Sequence, residues 1–238
     1  MRWRLVASVL IAMFLSLTAC TKAPGTVSAP APQEFSVRQL PPSPSPLRLE
    51  VQAGQVEALV PTDWDVRPIS AARYPQEGFM ASPQLSQWEG EAGVVRGMEA
   101  FWVDITRLSI PSDYYYLVAR GPAVSSLAAN KNCHPTGQQV LADHPPELTG
   151  RHFSPGDYVV SATGTCRTNG QPTRWAYIVA APGFGPVREV GLPSSGLYVV
   201  LAVVSGKRAD ALLQQMLQAA RFGNVPITQI VAVARTNT

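Results

Sequence analysis

Leu197-Tyr198-Val199-Val200-Leu201-Ala202-Val203-Val204 decides the fold: eight apolar residues in a row, rich in β-branched side chains and free of charge. An unbroken run of that length predicts a strand covered on both faces, at the centre of a sheet. Just after it the period changes. Ala209, Leu212, Leu213, Met216, Leu217 and Ala220 share one stripe of a helix, with Asp210 near its positive end, Arg221 near its negative end and Gly223 as its stop. Such a stripe must pack across a sheet to leave water. Before the run, residues 158–166 and 173–180 flank Asn169-Gly170. That dipeptide accepts the positive φ angles of a type I′ turn, so the two segments are expected to pair as an antiparallel hairpin.

Further back, residues 55–60 and 65–69 read as short strands around Pro61-Thr62-Asp63-Trp64, and Phe101, Val103 and Ile105 alternate with Trp102, Asp104 and Thr106 as a half-buried strand does. Ser112 is placed to cap a helix that starts near Asp113, is interrupted at Gly121-Pro122 and resumes to Asn130. Together these elements predict an α+β domain, an antiparallel β-sheet sandwich with helices packed on its faces.

The run at 197–204 with its following helix, and the early Val60-Pro61-x-x-Trp64, resemble the PsbP-like fold, including the LpqN-type lipoproteins of mycobacteria. Gly78-Phe79-Met80-Ala81-Ser82-Pro83, Ser112-Asp113-Tyr114-Tyr115 and Thr173-Arg174-Trp175-Ala176-Tyr177 are similar to segments of secreted actinobacterial lipoproteins. The resemblance touches most of residues 50–223. It implies a protein that binds or assists other components, and it supplies no catalytic residue.

The N-terminus speaks of export. Arg2 and Arg4 precede an uncharged stretch over 5–19 that is too short to cross a bilayer core, so residues 1–19 are expected to be a cleaved signal peptide. Leu17-Thr18-Ala19-Cys20 resembles the bacterial lipobox, whose cysteine is acylated before cleavage. Two or three acyl chains suffice for stable anchoring. Membrane lipid, reached through an acylated Cys20, is therefore an expected partner. Thr21 in place of Asp, and 16 Arg against 3 Lys, favour the outer face of the cell membrane, or the outer membrane where an organism has two.

Residues 20–46 follow as a proline-rich tether with seven prolines from Pro24 to Pro46, which in polyproline geometry reaches roughly 80 Å. Residues 47–238 are left for a single domain. Cleavage would remove two arginines and lower the formal charge of +3 by two, which excludes a basic nucleic-acid footprint. With Cys20 consumed by lipid, Cys133 and Cys166 remain, and in an oxidising compartment an even pair reads as a disulfide. Closing that loop stabilises a fold by about 3.8 kcal/mol in the chain-entropy model.

Signatures of chemistry are sparse. The sequence has no Gly-x-Ser-x-Gly elbow, His-Glu-x-x-His, Walker loop or Cys-x-x-Cys. Gly183-Phe184-Gly185 starts like a dinucleotide loop, but Arg188 occupies the third glycine's place. Ser194-Ser195 reads as a turn between strands. His134, His144 and His152 fall in one window with Cys133, Asp143 and Glu147, residue types that bind zinc or copper, but their spacing matches no known ligand pattern and Pro145-Pro146 suggests a loop. Trp102, Tyr114, Tyr115, Tyr116, Trp175, Tyr177 and Phe184 suit either strand packing or a groove for a partner. The expected function is a non-catalytic binding or accessory module of the cell envelope, meeting an envelope protein or an apolar small molecule and needing no cofactor. The alternative is a hydrolase or metal-binding protein that uses the His134 to His152 loop.

Overall fold

The computed structural model describes residues 34–69, 76–90, 95–104, 133–144, 147–149, 152–154, 157–168, 170–181, 191–192 and 196–236. Cys20, the expected helix at 113–130, Gly183-Phe184-Gly185 and Ser194-Ser195 lie outside them.

The apolar run becomes β12 (Gly196–Ser205), buried along nine of its ten residues. It is the middle strand of a seven-stranded antiparallel sheet ordered β4-β5-β6-β12-β11-β10-β7. The other strands of the sheet are β4 (Asp65–Pro68), β5 (Gln76–Ser82), β6 (Gly97–Asp104), β7 (Cys133–His144), β10 (Asp157–Thr168) and β11 (Gln171–Ala181). The hairpin expected at Asn169-Gly170 is present: Thr168 pairs with Gln171, and Gly170 has φ +75°. A second antiparallel sheet, β1-β2-β3-β13-β14, comprises β1 (Phe35–Gln39), β2 (Leu47–Ala53), β3 (Val56–Pro61), β13 (Arg221–Phe222) and β14 (Val225–Pro226). The short strands β8 (Glu147–Thr149) and β9 (His152–Ser154) pair with each other.

Alternation along β12 divides the interior into two cores. Tyr198, Val200, Ala202 and Val204 face one core, which is closed by Val51, Val56 and Val60 of the five-stranded sheet and by two helices. Leu197, Val199, Leu201 and Val203 face the other, beside Trp88, Val103, Trp175 and Val179. A strand whose two faces both meet apolar neighbours has no position for a polar side chain, hence the unbroken run.

The α+β expectation is corrected here. The described residues form a mostly antiparallel β fold with few short helices: α1 (Leu85–Gly90), α2 (Ala209–Ala219) and α3 (Ile227–Thr236). The apolar face assigned to a helical layer is covered in large part by a second sheet, of which the sequence reading reaches only the strand at 55–60.

Helix α2 does pack as its stripe requires. Ala209, Leu213 and Met216 are buried and Leu212 and Leu217 half-buried, over β12, β11 and β3. Its end is earlier than predicted. Ala220 is already extended, its N–H donating to Met216, and Arg221 belongs to β13 opposite Glu57. Gly223, with φ +56°, makes the tight turn between β13 and β14. The positive φ that glycine permits serves a hairpin here, which the same residue signals equally well.

Strand β1 lies within the proline-rich stretch 20–46. It pairs in regular antiparallel register with β2, from Phe35↔Ala53 to Gln39↔Leu49. The expected disulfide is present between Cys133 and Cys166, which are directly opposed on β7 and β10.

Candidate functional site

The histidine window, expected as a loop, is largely strand. His134 and His144 stand near opposite ends of β7, ten residues apart and so roughly 30 Å along an extended chain. No single metal ion spans that distance. His134 is exposed, in register with Thr165, whereas the backbone of His144 pairs with Asp157 and that of His152 with Thr149. Among the described residues no three of His, Cys, Asp and Glu gather around a common point.

The aromatic set is also divided. Trp175 and Tyr177, two residues apart on β11, belong to the second core. Trp102 on β6 faces the first core, stacked on Tyr198 with ring centroids 6.3 Å apart, its indole N–H donating to Glu77 Oε2 at 2.7 Å. Tyr198 in turn meets Phe222 at 4.8 Å. Burial, and after it the Asp104 carboxylate, push the Tyr198 hydroxyl upward, so it stays protonated. Trp175 has a definite packing task, since its ring covers Gly164 on the neighbouring strand. A Cβ at Gly164 would stand 2.2 Å from the indole. Tyr114, Tyr115, Tyr116 and Phe184 fall outside the described residues. The described rings serve two cores on opposite faces of one sheet and do not line one groove.

Sequence reasoning overlooked Glu99. It sits on β6 between Met80 of β5 and Leu201 of β12, on the face turned to the second core. Burial raises its carboxyl from the usual 4.5 to about 7. The Trp88 indole nitrogen lies near enough to offset part of that rise, but not in hydrogen-bonding geometry. A signal was available, because Glu99 shares the parity of Phe101 and Val103, the very residues that marked this face as apolar.

On the outer face of the five-stranded sheet, a shallow cleft of about 360 Å³ is lined by Arg38, Leu40, Glu50, Glu57, Leu59 and Arg221. Arg38 is paired with Glu50 at 2.6 Å. Two acids and two bases over an aliphatic floor give the cleft no net charge. It matches small ligand sites in size, yet lacks their enclosure.

These features define a class: a two-sheet antiparallel β protein with a single cross-strand disulfide, whose buried polar groups mostly serve packing. No known protein family matches the sequence, and no curated protein is similar to it. Among solved structures, the crystal structure of LpqN, involved in cell envelope biogenesis of Mycobacterium tuberculosis, is similar at 15% identity and a TM-score of 0.29. It covers 77% of this chain and 85% of that one. A likeness this distant assigns no activity or ligand.

Proposed function

We propose that the protein is exported, anchored to the cell membrane by lipid on Cys20, and works at the cell envelope by binding rather than by catalysis. The observation that carries this reading is the Cys133–Cys166 disulfide. Such bonds persist in oxidising compartments outside the cytoplasm. The bond also commits two of the three cysteines and leaves Cys20, directly behind Leu17-Thr18-Ala19, for modification. The larger of the chain's two compact units starts at Gln33. Residues 21–32 then remain as a tether, long enough to span roughly 35 Å in polyproline geometry.

Binding rather than catalysis is favoured by how the polar side chains are used. Glu77 holds the Trp102 indole, and the Ser82 hydroxyl donates to the Arg96 carbonyl while accepting from the Gln84 N–H. His134 and His144 are too far apart to share one reaction.

The test is Cys20→Ser in the full chain, followed by cell fractionation, with chemical crosslinking of the parent in its own membranes. The parent is expected in the membrane fraction with covalent adducts to envelope components, and the variant in the soluble fraction with an unchanged near-UV spectrum. Equal membrane partitioning of the two would overturn the anchor. A turnover of added ester, peptide or glycoside substrates by the purified parent would overturn the binding reading.

A further inference from the structure

The two large sheets present four edges among the described residues, and three of them are defended. Strand β14 has only two residues and includes Pro226; β4 has four, with Arg67 ion-paired to Glu89 and Pro68 at its end; β7 contains Pro135 and two register shifts against β10. Short length, charge, proline and bulges are the devices by which sheet edges avoid pairing with another chain. Strand β1 has a regular ladder instead, and its five residues are all exposed.

The hydrogen-bond phase of β1 fixes what it offers. The Gly54 N–H donates to the Glu34 carbonyl at 2.7 Å and the Leu40 N–H to the Arg48 carbonyl at 2.6 Å. Even-numbered residues therefore bond inward to β2, and Phe35, Val37 and Gln39 turn their N–H and C=O groups outward. The side chains of these three residues share the sheet face of Val51 and Ala53, which are buried in the first core. Yet Phe35 is 37% exposed and Val37 43%. The five-stranded sheet thus overhangs, with an apolar inner face and a bonding edge at the same three residues.

The geometry points to a second copy of this chain as the occupant, its β1 pairing antiparallel with the first about Val37. The edge is self-complementary. Val37 meets Val37 on the twofold axis, Phe35 meets Gln39 on either side, and about six inter-strand hydrogen bonds form in phase with those to β2. On the outer face Arg38 falls opposite Ser36, and each arginine is already neutralised by Glu50 of its own chain. Phe35 and Val37 of the two copies then form one apolar strip beneath a continuous ten-stranded sheet. Pro41-Pro42 keep the pairing from running further. Neither the anchor nor the binding reading is needed for this pairing.

The test is sedimentation of the full chain in detergent, with matched variants at position 37. The parent should sediment as a dimer. Val37→Pro removes an outward N–H without touching the β1–β2 ladder, and the two hydrogen bonds lost per dimer should raise the dissociation constant about thirtyfold. Val37→Lys and Val37→Glu alone should each be monomeric, because like charges meet on the axis. Mixed together they should restore the dimer, a result that misfolding of either variant cannot mimic. A monomeric parent, or a mixture that stays monomeric, overturns the proposal. So does a photocrosslinker at Phe35 that captures a different protein in membranes rather than a product of twice the chain mass.

Discussion

A carboxyl group on the apolar face of β6 becomes more costly as it ionises, and Glu99 gives the fold a pH dependence of definite sign. Its folded pKa of about 7 lies above the usual 4.5, so between these values the native state holds the proton that the unfolded chain has released. Stability from this group is therefore fullest below about pH 4.5, falls through the window, and levels off above about 7. The difference is on the order of 3 kcal/mol. Glu99→Gln keeps the shape of the protonated acid and cannot ionise. It should raise the unfolding free energy by about 2 kcal/mol near pH 8 and leave it unchanged near pH 4, as measured by urea titration at both values. Equal effects at the two would mean that the carboxyl is ionised throughout. Glu99 is hard to read in sequence because both parities of β6 are buried around it, at Met98 and Ala100 on one face and Gly97 and Phe101 on the other, so alternation does not single it out. His134, by contrast, drew attention for its chemistry and proves to be an exposed residue of a strand.

Elements were legible where one period held over their whole length. The run that became β12, the hairpin at Asn169-Gly170 and the stripe of α2 each extend eight residues or more, long enough for the pattern to exclude its rival. Strand β7 shows the opposite case. Cys-His-Pro-Thr-Gly-Gln-Gln-Val-Leu-Ala-Asp-His carries proline, glycine and little apolar periodicity, and its extended form comes from pairing with β10 and from the bond that joins their ends. Nothing local encodes that. Strand β1 likewise takes its geometry from pairing with β2 within a proline-rich neighbourhood, whereas β2 itself alternates Leu47, Leu49, Val51 and Ala53 with Arg48, Glu50 and Gln52. Helix α2 offers the sharpest check on an element read correctly. Leu213 is buried in the middle of its stripe, against a core shared with Val200 and Val204. Leu213→Ala should cost about 2 to 5 kcal/mol through the cavity it leaves, read as a shift of the denaturant midpoint at constant m. A loss below about 1 kcal/mol would show that the helix can settle into the gap or that its stripe is not fixed against the sheet.

At the scale of the molecule, one sheet serves two cores, and β12 is the wall between them. Val200 and Leu201 are adjacent in sequence, both fully buried, and belong to different cores. Strand β12 and its partners β6 and β11 give one face to each core, so losing their pairing removes a wall from both at once. The unit from Gln33 to Thr238 is larger than the chains that usually unfold in a single step, yet this shared wall argues that it does so. Tryptophans are placed to test it: Trp64 and Trp102 report on the first core, Trp88 and Trp175 on the second. Two proteins, each keeping one of these pairs and carrying Phe at the other two sites, should give fluorescence transitions whose midpoints coincide with that of far-UV dichroism for the same protein. Val200→Ala and Leu201→Ala should each move both reporters together, although each variant opens a cavity on one side only. If Leu201→Ala shifts the Trp88 and Trp175 transition and leaves that of Trp64 and Trp102 in place, the two cores melt separately, and β12 joins them in space without coupling them in energy.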